Sequence, residues 1–131
     1  MDDMKMENAL PRRDHIENSM EADLLWLIRQ KEGKYRWIGT KRELVEMTHR
    51  VWLRNVVFDP TGRVMPFTHL LRRVCEVVGM EVPKKPTAML DNIVHRKNHD
   101  LLCMEQRYLR IIESMEEEGV QERPIQRFLA A

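Results

Sequence analysis

Apolar residues recur at intervals of three and four through most of this 131-residue chain, and the strict alternation of a half-buried strand is scarce. The pattern predicts a mainly α-helical fold. Met20, Leu24, Leu25, Leu27 and Ile28 share one face of a first helix that starts near Ile16 and stops before Gly33, a residue suited to end a helix. A basic, aromatic connector follows, from Lys34 to Gly39. Thr40 and Glu43 have the spacing of a capping box, so a second helix starts there, with Leu44, Val45, Met47, Val51 and Trp52 as its apolar stripe. Lys41, Arg42, Arg50 and Arg54 are left around its polar side. Asp59-Pro60-Thr61-Gly62 is a turn sequence between Val56-Val57 and Val64, and it predicts a tiny hairpin or a loop.

Pro66 opens a third helix at a position where its missing N–H costs nothing, and Phe67, Leu70, Leu71, Val74, Val77 and Val78 form its buried face up to Gly79. Pro86 starts a fourth in the same way, with Met89, Leu90, Ile93 and Val94 inward. Leu101, Leu102, Tyr108, Leu109, Ile112 and Met115 continue a helical pattern to the acidic run 116–118, which Gly119 stops. A last short helix is expected over 124–129. The division that follows is one domain with a flexible arm at 1–13, a core at 36–98 and a helical extension at 99–131.

Composition agrees with one folded unit: 43% of residues are hydrophobic and 33% are charged. Apolar runs reach only four or five residues, well short of a membrane span, and the first residues are acidic with no apolar signal core. A cytoplasmic chain is expected. Cys75 and Cys103 read as reduced, buried thiols in that setting, not as a bridge. Ten methionines suit adaptable helical interfaces.

Charge changes the picture more. The whole chain carries only +1, yet residues 29–97 hold fifteen Lys or Arg against seven Asp or Glu, between two acidic ends. A local cationic excess attracts polyanions, so nucleic acid is the first partner to consider.

The stretch Trp37-Ile38-Gly39-Thr40-Lys41-Arg42-Glu43-Leu44-Val45-Glu46-Met47 resembles the C-terminal part of the RteC family, regulators associated with excision of conjugative transposons. The similarity continues through the turn at Gly62, the helix from Phe67 to Val78 and Arg96-Lys97-Asn98, about half of the chain. It implies a helix-turn-helix or winged-helix-like centre in a DNA-binding transcriptional regulator. The chain departs from the family in its short N-terminal region and in the acidic helix after the basic segment.

Three helices over 41–54, 66–79 and 86–97 would form such a tri-helical unit, with the last in a major groove of double-stranded DNA. Thr87, Asn92, Arg96 and Asn98 would then reach base edges, where Asn and Arg distinguish purines. Lys41, Arg42, Arg72, Arg73, Lys84, Lys85 and Lys97 would touch phosphates and position the protein. Tyr35 and Trp37 beside Lys34 and Arg36 offer stacking faces, although large aromatics usually pack, and Trp37 is expected to anchor the second helix.

Other chemistry is poorly represented. His95, His99 and Cys103 fall at i, i+4 and i+8, but the outer two lie ~12 Å apart by helical rise, too far for one metal ion. No metal or other cofactor is expected. The sequence holds no nucleophile elbow, phosphate loop or HExxH, so the chain reads as a non-enzyme. A competing reading is a helical protein-protein adaptor. The stripe of Leu101, Tyr108, Leu109 and Ile112 would serve a homodimer or pack on its own core. Glu105, Glu113 and Glu116 could cover the basic middle and withdraw it from DNA.

Overall fold

The computed structural model describes residues 2–94 and 103–131, with side chains described over 14–90 and 103–131. α1 spans Asp2–Ile28, so its backbone runs through the segment expected as an N-terminal arm. Among the described side chains Ile16 is the first buried one, followed by Met20, Leu24 and Leu27, where the apolar pattern begins. The loop after α1 passes through Gly33 at φ +70, in the left-handed region. Its amide donates to Glu76 O at 3.0 Å, and that of Tyr35 to Val77 O at 3.4 Å, so the connector is fixed to the end of the third helix. It then forms a two-residue strand, β1, at Arg36–Trp37.

The expected capping box starts α2, Lys41–Trp52. Thr40 Oγ1 accepts from the Glu43 amide at 3.1 Å, while the Thr40 amide donates to Glu43 Oε1 at 2.8 Å. This helix is the axis of the fold. It packs against α1 and against the three helices that follow it. Being enclosed, it buries Glu43, Glu46 and Thr48 as well as its apolar stripe, so the expected polar side is confined to its ends. The Thr48 hydroxyl is satisfied within the helix by donating to Leu44 O at 2.8 Å.

The turn sequence closes a tiny hairpin through a bridge between Phe58 and Val64. Asp59 Oδ1 accepts from the Thr61 and Arg63 amides at 2.9 and 3.1 Å, and Gly62 takes φ +85. α3, Phe67–Val77, follows with Pro66 as its N-cap. It ends in a Schellman motif, in which the amides of Gly79 and Met80 donate to Glu76 O at 3.4 Å and Cys75 O at 2.9 Å. α4 spans Pro86–Val94, with Met89 and Leu90 packed on the core.

The C-terminal region differs from the expected pattern. α5 is Met104–Glu118, and Cys103 is its extended N-cap at φ −70, ψ 162, so the helix begins at Met104; Leu101 and Leu102 lie outside the described residues. Gly119 ends it as expected, at φ +68. The last segment is a 3₁₀ turn, Pro124–Phe128, and then a strand, β2, at Leu129–Ala130. β2 pairs antiparallel with β1, Arg36 opposite Ala130 and Trp37 opposite Leu129. Neither strand has a legible alternation, since two residues are too few to show one.

One core joins all of these elements. Its most enclosed side chains include Leu24 and Leu27 from α1, Leu44 and Met47 from α2, Leu70 and Leu71 from α3, and Met104 and Tyr108 from α5. No helix among the described residues is long and apolar enough to cross a membrane.

Candidate nucleic-acid interface

The cations of the basic middle separate into two groups. Arg50 and Arg54, near the C-terminal end of α2, face the acidic flanks. Arg50 Nη1 lies 3.3 Å from Glu105 Oε2, and Arg54 Nε lies 3.4 Å from Glu21 Oε1. Arg54 also donates to Asn18 Oδ1 at 2.9 Å. Of the three glutamates that could cover the basic middle, Glu105 therefore does so at Arg50. Arg73 is engaged in the fold as well. Its Nε donates to Ile28 O at 2.9 Å and its Nη2 to Gln30 O at 2.8 Å, so its guanidinium satisfies carbonyls at the end of α1. Glu32 and Glu76 flank it at 3.7 Å. A phosphate contact by Arg73 would compete with these bonds.

Lys41, Arg72, Lys84 and Lys85 are exposed and Arg42 is half-exposed; none makes an ion pair or side-chain hydrogen bond among the described residues. They sit at the start of α2, on the outer face of α3 and in the linker into α4. Thr87 is exposed in the first turn of α4. Asn92 belongs to α4, but its side chain lies outside the described residues, as do Arg96, Lys97 and Asn98. α2 packs against both α3 and α4, so the unpaired cations lie on or beside elements that share one core. Among these elements α2 is the central helix, shared with α1 and α5, which differs from an isolated tri-helical bundle.

The aromatic residues of the connector are structural. Trp37 is buried at 6% exposure, stacks on Phe128 with ring centres 5.1 Å apart, and donates from Nε1 to Thr40 O at 2.8 Å. It is the anchor of α2 that the sequence suggests. Tyr35 lies against Trp26, with ring centres 5.6 Å apart.

The stripe considered for a homodimer turns inward. Tyr108 is fully buried, Ile112 is 8% exposed and Leu109 packs partly on the core; Leu101 lies outside the described residues. α5 packs against α1 and α2, which takes Tyr108 and Ile112 into the core, while Leu109 stays half-buried. His95 and His99 also lie outside the described residues, while Cys103 stands at a helix start in extended backbone. No cluster of three metal-ligating side chains occurs among the described residues. Cys75 and Cys103 are both free thiols. Burial, with Glu76 adding to it, pushes the Cys75 thiol up to about 11, so it is a protonated core group rather than a nucleophile.

Two buried polar arrangements escaped the sequence reading. Asp23 is 2% exposed and accepts from Tyr108 Oη at 2.5 Å, the Ile125 amide at 3.1 Å and Arg123 Nη1 at 3.3 Å. Burial raises its carboxyl above the ordinary value, and the three hydrogen bonds oppose that rise. Its signal was present: Met20, Asp23, Leu24 and Leu27 are i, i+3, i+4 and i+7, which puts a carboxylate within the apolar face. The second is Glu43, 6% exposed, whose Oε2 takes Arg107 Nη1 as its ionic partner at 2.7 Å. Arg107 lies over the Phe128 ring at 5.4 Å.

Compared with family models, curated proteins and solved structures, the chain matches none of them.

Proposed function

We propose that the chain is a non-catalytic DNA-binding domain that acts in transcriptional control, in line with the RteC resemblance and its link to conjugative transposons. One observation carries the reading: after Arg50, Arg54 and Arg73 are engaged inside the fold, Lys41, Arg42, Arg72, Lys84 and Lys85 still have no anionic partner among the described residues. Such cations release counterions from a phosphate backbone and supply sequence-independent affinity. Thr87, at the start of α4, and Asn92, Arg96 and Asn98 beyond it are the proposed base contacts.

Fluorescence anisotropy with duplex DNA over a range of salt tests this. Affinity should fall steeply with salt, and Lys84→Ala/Lys85→Ala should weaken binding to all duplexes alike. The same variant should lower the slope of log K against log salt by about 0.9 for each phosphate that is no longer neutralised. Arg96→Ala should instead relax preference among sequences. Absence of binding at low salt would reject the proposal.

A second reading, a protein-protein adaptor, draws on the hairpin between α2 and α3. Phe58 and Val64 share its outer face and are 56% and 41% exposed, where alternation with buried Val57 would favour polar residues. Leu53 nearby in sequence is also 56% exposed. Partner capture that is insensitive to salt and abolished by Phe58→Ser would favour the adaptor over DNA binding.

A further inference from the structure

A concave site of about 240 Å³ lies between α5 and the 3₁₀ turn, and none of the cations assigned to DNA lines it. Arg107, Arg110, Ile111 and Ser114 are i, i+3, i+4 and i+7 of α5, so they share one face of that helix. Arg127 and Phe128 complete the lining from the turn. Three arginines thus line the site together with half-buried Ile111, while Phe128, 2% exposed, offers it little surface.

Their charges are unequally satisfied. Arg107 is held by buried Glu43, yet one oxygen leaves most of its five N–H donors unengaged. Arg127 meets Glu118 at 3.5 Å through two largely exposed side chains, a pairing that contributes little and is easily exchanged. Arg110 is exposed and makes no ion pair or side-chain hydrogen bond among the described residues. Ser114 adds a hydroxyl, 3.4 Å from Glu118 Oε1. Three cations against two carboxylates leave a local excess in a segment of the chain that is otherwise acidic. The Phe128 ring lies nearly parallel to those of Trp37 and Tyr108, with interplanar angles of 8° and 9°.

We propose that this site binds a small oxyanion carried on a flat apolar body, such as an aryl phosphate or an aromatic carboxylate. The planar guanidinium groups of Arg110 and Arg127 grip the oxyanion by paired N–H donors, Arg107 adds a third contact without releasing Glu43, and the apolar body rests against half-buried Ile111. The volume limits the ligand to a few ring atoms beyond the anionic group. The reading is independent of DNA binding, because it uses none of the cations assigned to phosphates there.

The test is NMR titration of the full chain with phenyl phosphate, benzoate and, as a neutral control, benzyl alcohol, at constant ionic strength. Phenyl phosphate or benzoate should shift amide signals within 107–114 and 125–128 and leave those of 84–87 unmoved. Arg110→Ala should weaken binding about tenfold or more, as for loss of a charged hydrogen-bonding group, and Lys84→Ala should not change it. Arg110 is exposed and unpaired, so its truncation spares the fold; Arg127→Lys, which keeps the charge but loses the planar fork, should weaken binding in the same direction. Equal response to benzyl alcohol, shifts confined to the Lys41 and Lys84 region, or affinity unchanged in Arg110→Ala would each overturn the proposal.

Discussion

Gly39 sits where a methyl group has no room. A Cβ there would lie 2.9 Å from Phe128 Cδ1 and 3.0 Å from Trp37 Nε1, two rings locked in one stack. Gly39→Ala should therefore destabilise the fold by ~1–3 kcal/mol, the usual cost of forcing atoms into a packed core, as read from the urea midpoint. Asp23 makes a different prediction. Its carboxyl is raised from the ordinary 3.8 by burial, so the native state binds its proton more tightly than the unfolded state does. Its contribution to stability is complete below 3.8 and is lost as pH rises through the raised folded value. Relative to Asp23→Asn, wild type should lose stability as pH rises from about 3 toward neutrality, and urea unfolding across that range measures the difference. Both residues stand in plain view in the sequence. The position of Asp23 on the apolar face was readable from its spacing, but its partners at 108, 123 and 125 were not. Nothing local connects α1 to a segment near the other end of the chain.

At the scale of elements, local signals worked where the interaction is itself local. Thr40 with Glu43, Gly79 and Gly119, and the Asp59 turn each involve residues within about five positions, and each is present in the structure. The pairing of β1 with β2 and the break before α5 were not legible. Trp37 pairs with Leu129 because the 3₁₀ turn delivers it there, and a two-residue strand has no period to detect. Phe128 is the residue on which that closure depends, lying between Trp37 and Tyr108 and beneath Arg107. Phe128→Ala should cost ~3–5 kcal/mol and also loosen the β1 connector. Faster hydrogen exchange at the amide of Ile38, which donates to Phe128 O at 2.8 Å, would report that loosening, whereas protection equal to wild type would show that the connector holds without the ring.

For the whole molecule, the acidic flanks and the basic middle are parts of one packed unit. Glu21 and Glu105 meet Arg54 and Arg50, so these two arginines serve cohesion between α1, α2 and α5. Arg50→Ala with Arg54→Ala should lower stability by up to ~1 kcal/mol per pair, because both pairs are partly exposed. If DNA binds as proposed, the same double variant should leave the salt slope nearly unchanged, while Lys84→Ala/Lys85→Ala should reduce it; parallel anisotropy titrations compare the two.

The sequence by itself determined the helical class, the caps and turns that begin and end most helices, and the concentration of positive charge between acidic ends. Those properties depend on neighbours within a turn or two, or on counting. Only the tertiary structure decided which cations face carboxylates, that α2 is enclosed on all sides, that the Tyr108 stripe packs inward, and that Arg107, Arg110 and Arg127 converge around Phe128. Each of these depends on side chains distant in sequence meeting at a few ångströms. A one-dimensional pattern records that such groups exist, and the packing of the helices selects which of them meet.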